Sequence, residues 1–128
     1  MSYFRRFYFS HLGRAGRMAY NLYFILPTIL IGVILGFLAP RDPRSALAAI
    51  IAYLALTLWA SIVVNIKRLH DLHYSGWWLL VWWGVSAGIV LLQMPNSPIL
   101  AKAVSLLLAV LLMTVPGTHG PNRFGEKP

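Results

Sequence analysis

Four uninterrupted apolar stretches, each near the length at which a helix crosses a bilayer, dominate this chain. A hydrocarbon core about 30 Å thick takes ~20 helical residues, with a range of roughly 17–25. The first stretch runs from about Asn21 to Ala39 and holds no charged side chain. The second, about Leu47 to Ile66, ends against Lys67 and Arg68. The third starts at Trp77 and lasts to about Leu92, before Pro95 and Pro98 break the helix. The fourth, about Ile99 to Val115, carries Lys102 in its first turn, from where an ammonium snorkels to the interface. Pro116 and Gly117 stop it. With 59% hydrophobic and 11% charged residues, the chain falls far short of the quarter that keeps a soluble domain wet. A soluble enzyme core and a disordered chain are both excluded. The absence of cysteine removes disulfides, thiolate metal sites and cysteine nucleophiles.

The expected fold is therefore all-α: an integral-membrane four-helix bundle forming one domain over 1–128. Residues 1–20 make an interfacial N-terminal segment, and 116–128 a tail. An even number of spans puts both termini on one side. Arg5, Arg6, Arg14, Arg17, Lys67, Arg68, Arg123 and Lys127 fall on that side, against Arg41, Arg44 and Lys102 on the other. Positive-inside bias makes the termini cytoplasmic and gives the chain a polar cytoplasmic cap. The net charge of +8 lies within a few residues of the membrane, so it points to anionic headgroups rather than nucleic acid. No small-residue cleavage site follows a short apolar core, so a cleavable signal peptide is not expected.

Inside lipid, helices associate through close packing. Gly32 and Gly36 form one small-residue face, Gly84 and Gly88 another, and Ala48, Ala52 and Ala55 a smoother third. Each face suits either packing within the bundle or an oligomer interface. Pro27 should bend the first span unless neighbours replace its lost hydrogen bond. The first three spans hold no Asp, Glu, Lys, Arg or His between their ends, which argues against a proton-coupled transporter acting alone.

Polar residues gather in three stretches, all on the side expected to be cytoplasmic. Gly13-Arg14-x-x-Arg17, Arg68-Leu69-His70-Asp71-x-x-x-Ser75-Gly76-Trp77-Trp78 and Gly120-Pro121-Asn122-Arg123-Phe124-Gly125 follow one another along the chain. In order and spacing these motifs resemble the bacterial inner-membrane family known as domain of unknown function 805, the YhaH-like proteins. The resemblance covers nearly the whole chain, and its middle motif is the specific one. His73-Tyr74 stands where the family often has Gly-Arg, and Glu126-Lys127-Pro128 replaces a more usual acidic-Pro ending. The resemblance implies a small multispan protein of the bacterial inner (cytoplasmic) membrane and brings no activity with it.

Asp71 is the carboxylate at the centre of these motifs. Arg68, three residues earlier, reaches it if the second helix continues, and Arg14, Arg17 or Arg123 can form the two-bond fork of guanidinium on carboxylate. One reading is a structural clasp that ties the three stretches together, with His70, Ser75 and Asn122 as further members. The other is an anion- or phospholipid-binding centre, because four arginines exceed one acid. Ser75 and Gly76 are placed to open the third helix. His70 and His73 lack the partners that a metal site needs, and no cofactor is expected. No nucleophile with a paired base stands out, which argues against an enzyme. Trp77, Trp78, Trp82 and Trp83 suit an interfacial aromatic belt, and Tyr3 to Leu12 an interfacial helix. The leading expectation is a non-catalytic accessory or assembly subunit of a larger inner-membrane complex, or a homo-oligomer. The alternative is a carrier or lipid-modifying enzyme working through the arginine-rich cap.

Overall fold

A computed structural model describes residues 7–10, 12–38, 42–92, 96–126 and 128. Ala39, Arg41, Pro95, Lys127, His11 and the first six residues lie outside the described set. Among the described residues there is no strand; the architecture is helical throughout. Helix α1 is Arg17–Leu38, α2 is Pro43–Asp71, α3 is Trp77–Leu91 and α4 is Ser97–Thr114.

Three of these helices, α1, α2 and α4, are long and apolar enough to cross a membrane. The third of the four expected spans is shorter than the others: α3 has 15 residues, about 22 Å at 1.5 Å per residue. Helix α2 departs in the opposite direction. Its 29 residues run past Ile66 and carry Lys67, Arg68, His70 and Asp71 on the helix rather than in a loop. Its start is fixed by Asp42, whose Oδ2 accepts from the Ser45 backbone N–H at 3.0 Å and from Ser45 Oγ at 2.9 Å. These bonds hold the Asp42 carboxyl below the usual carboxylate range. Pro43 occupies the first turn, where no N–H is needed.

Pro27 does not simply kink α1. The preceding residues, Asn21–Ile25, widen into a π-helical turn, with the Leu26 N–H donating to the Asn21 carbonyl. A proline cannot donate to the carbonyl four residues back, which here is Tyr23. The Tyr8 hydroxyl donates to that carbonyl instead. The N-terminal segment is thus docked against the helices: residues 7–9 are helical, and Phe7 is buried with its ring edge-on to Tyr8 and Tyr23.

Burial is concentrated at one end of the molecule. Phe7, Ala15, Tyr20, Phe24, Val64, Leu69, Leu79 and Leu112 form the core cluster there. By contrast, Leu26–Leu38 of α1 contains no buried residue. Helices α3 and α4 make the most extensive pair, cross-linked by Trp82 Nε1–H donating to the Val104 carbonyl at 2.9 Å. Trp82 is therefore an interhelical tie, while Trp77, Trp78 and Trp83 are exposed. Of the four glycines expected to pack helices, only Gly32 sits at a close approach, facing the Tyr53 hydroxyl that donates to the Thr28 carbonyl at 2.9 Å. A Cβ at Gly36, Gly84 or Gly88 would meet nothing within 4 Å across a helix interface.

Candidate functional site

The buried end gathers all three polar stretches around Asp71, whose side chain is 4% exposed. Arg14 Nε and Nη2 donate to Asp71 Oδ1 at 3.0 and 2.8 Å. Arg68 Nη1 donates to Oδ2, one helical turn away on α2. Both arginine side chains are fully buried, at 0% exposure. Helix α2 runs through Asp71, and this pairing offsets part of the cost of burying charge in its last turn. Arg17 and Arg123 do not reach the carboxylate. Arg17 Nη1 donates to the Thr114 carbonyl at 3.1 Å, while Arg123 lies against the Phe124 ring and donates to the His73 carbonyl at 3.4 Å.

The rest of the cap answers the carbonyls that two helix ends leave open. The last four carbonyls of an α-helix have no partner within it, and burying them unpaired is costly. At the end of α4, Arg68 donates from Nε to Leu112 O at 2.7 Å and from Nη2 to Val115 O. Asn21 Nδ2 takes the Met113 carbonyl at 3.2 Å. At the end of α2, the Ala15 N–H donates to Lys67 O at 3.1 Å, and Thr118 donates from N and Oγ1 to Asp71 O at 2.8 and 3.0 Å. Asn122 Nδ2 donates to His70 O at 2.9 Å, and its Oδ1 accepts from the Phe124 N–H. The Asn122–Gly125 backbone pair closes this tail turn.

Helix α2 itself ends in a left-handed cap. The Tyr74 N–H donates to Leu69 O and the His73 N–H to His70 O, with His73 at φ +69°. A non-glycine residue is disfavoured there by roughly 1–2 kcal/mol. Glycine's own unfolded-state entropy offsets part of that gain. His73→Gly should therefore raise stability by about 0.5–1 kcal/mol, read as a higher midpoint in thermal unfolding of the purified protein.

His70 stacks face to face on Phe124 at 3.9 Å, with Nδ1 3.2 Å from Gly13 O, so one imidazole touches both the N-terminal stretch and the tail. Ser75 does not cap α3: its carbonyl accepts from the Trp78 N–H, and the N-cap, Gly76, has no side-chain bond. Gly76 matters instead for a close approach, since a Cβ there would lie 2.9 Å from Ile66. Gly117 is tighter still, with a Cβ position 1.9 Å from Asp71 Oδ2. Lys67, 5% exposed, donates to the Phe7 carbonyl at 3.2 Å. The roles of Gly117, Thr118, Lys67 and Asn21 are absent from the sequence reading. Only the Pro116-Gly117 break next to the tail motif hints at the first of them.

Three cations, Arg14, Lys67 and Arg68, and one carboxylate, Asp71, are buried among the described residues; Arg14 and Arg68 pair with that carboxylate, and Lys67 turns to Phe7. The C-termini of α2 and α4 point into the same volume, and each carries about half a negative charge. Every N–H position of Arg14 faces an oxygen: Asp71 Oδ1 twice, Thr118 O, Gly120 O and Gly125 O, at 2.6–3.5 Å. Among the described residues, no cluster of three His, Cys, Asp or Glu is placed to hold a metal ion. Beside the cap, between α2 and α3, lies a slot of about 350 Å³ lined by Ile62, Ile66, His70, Ser75, Trp77 and Trp83.

A profile of the family described as "Protein of unknown function (DUF805)" matches residues 8–126 of the chain. No curated protein and no solved structure matches it.

Proposed function

The chain belongs to the DUF805 family, and from that premise we propose a non-catalytic integral membrane protein acting as an accessory or assembly subunit of a larger membrane complex. In this reading the polar cap is a structural clasp, not a reaction centre. The observation that carries it is the engagement of Arg14, whose five N–H positions are all turned to internal oxygens. A guanidinium spent on backbone carbonyls and a resident carboxylate has no donor left to bind a substrate anion. Arg68 is likewise turned inward, bridging Asp71 to the end of α4 through Nε, Nη1 and Nη2. What remains for interaction is the apolar surface. Leu30, Ile34 and Phe37 of α1, and Leu47, Ile51 and Leu54 of α2, are at least half exposed. In this proposal the cap lies on the cytoplasmic side of a bacterial inner membrane, and the exposed faces meet lipid or a partner's helices.

The test is extraction into native nanodiscs followed by intact-mass analysis of everything that co-purifies. The expected result is other polypeptides at fixed stoichiometry. A lone chain that carries one tightly held phospholipid would overturn the subunit reading. It would favour lipid binding, with the slot beside His70 and Ser75 as the place to look.

A further inference from the structure

The two helical hairpins differ in reach from a common base. The cap fixes their near ends at one level, through Ala15 N–H to Lys67 O, Arg17 to Thr114 O and Arg68 to Leu112 O. From that level α1, Arg17–Leu38, extends about 33 Å, and α2, from Arg68 back to Pro43, about 39 Å. Helices α3 and α4, with 15 and 18 residues, extend only about 22 and 27 Å. The far ends of α3 and α4, Leu91 and Ser97, thus stop roughly 10 Å short of the Asp42 end of α2, and short of the ~30 Å a hydrocarbon core occupies. Tilting does not level the two. A typical tilt of about 20° across helices ~10 Å apart changes their relative height by only ~3 Å.

The short tip is also polar. Asn96 and Ser97 open α4 with no side-chain cap, so first-turn N–H groups are left for solvent or headgroups. Lys102, one turn further in, is exposed on the outer face of α4. In a bilayer of ordinary thickness these groups would lie in hydrocarbon.

We propose that the short α3–α4 hairpin thins the bilayer beside it, bringing lipid headgroups and water down to Asn96, Ser97 and Lys102 on the side opposite the cap. The partner of this surface is the phospholipid headgroup layer itself, and the proposal stands whether or not the chain is a subunit.

The chain has no cysteine, so single introduced thiols report accessibility cleanly. Lys102 and Leu56 are each 12 residues from their cap-level partners, Thr114 and Arg68, and both are exposed. Lys102→Cys and Leu56→Cys in the full chain, in nanodiscs of 18-carbon phosphatidylcholine, are treated with a charged, water-soluble maleimide. The Lys102→Cys variant should react at least tenfold faster. In 14-carbon lipid the gap should narrow as Leu56→Cys gains reactivity. Rates equal within twofold in the 18-carbon lipid would overturn the proposal. Asn96→Cys against Ile50→Cys, a second exposed pair at matched depth, decides the matter if either first variant fails to fold.

Discussion

Asp71→Asn should sharply lower the yield of folded protein, at a cost of about 3–5 kcal/mol. The side chain keeps its shape but loses its charge, and Arg14 and Arg68, both at 0% side-chain exposure, are left as buried cations without their counterion. Removing one partner of a buried ion pair is expensive because the other charge stays desolvated. Against a total stability of roughly 5–15 kcal/mol, that loss is large. The check is size-exclusion behaviour and thermal unfolding of the variant beside the parent chain. Had Asp71 served a ligand rather than the fold, the same change would leave yield intact and abolish binding.

Gly117→Ala should be nearly as damaging, at about 3 kcal/mol, although it adds a single methyl group. That methyl would fall 1.9 Å from Asp71 Oδ2 and 2.5 Å from its Cγ. A carboxylate at the end of a free side chain would swing away; this one is held between Arg14 and Arg68. The clash therefore costs either the ion pairs or the hydrogen bonds that the Thr118 N–H and hydroxyl donate to Asp71 O. Because the damage runs through Asp71, Gly117→Ala should cost much less in an Asp71→Ala background. Unfolding midpoints of the two singles and the double would show that non-additivity.

The helical architecture was legible because apolar run length is a one-dimensional property, and the breaks at Pro95, Pro98 and Pro116 are local. The shortness of α3 was already implied by how soon Pro95 follows Trp77. The end of α2 was not legible. Lys67, Arg68, His70 and Asp71 read as a polar boundary in sequence, yet they continue the helix because partners far along the chain neutralise and cap them. Arg14 is 57 residues from Asp71, and Thr118 is 47. No local pattern decides that Arg14, rather than Arg17 or Arg123, takes the carboxylate. That choice follows from where the tail turn places Gly120 and Gly125. The motif residues were recognisable as a group, but their division of labour between pairing charge and capping helices belongs to the tertiary arrangement. The π-helical turn before Pro27 is a similar case: the proline is visible, and the Tyr8 hydroxyl that answers it is not.

The most direct test of the clasp is a double-mutant cycle between Arg14 and Asp71, using Arg14→Gln, Asp71→Asn and the double variant, followed by thermal unfolding in one detergent. A clasp predicts strong coupling, of about 2–3 kcal/mol, with the double variant little worse than the worse single. Effects that add within about 0.5 kcal/mol would mean that the two side chains do not depend on each other, and would contradict the account.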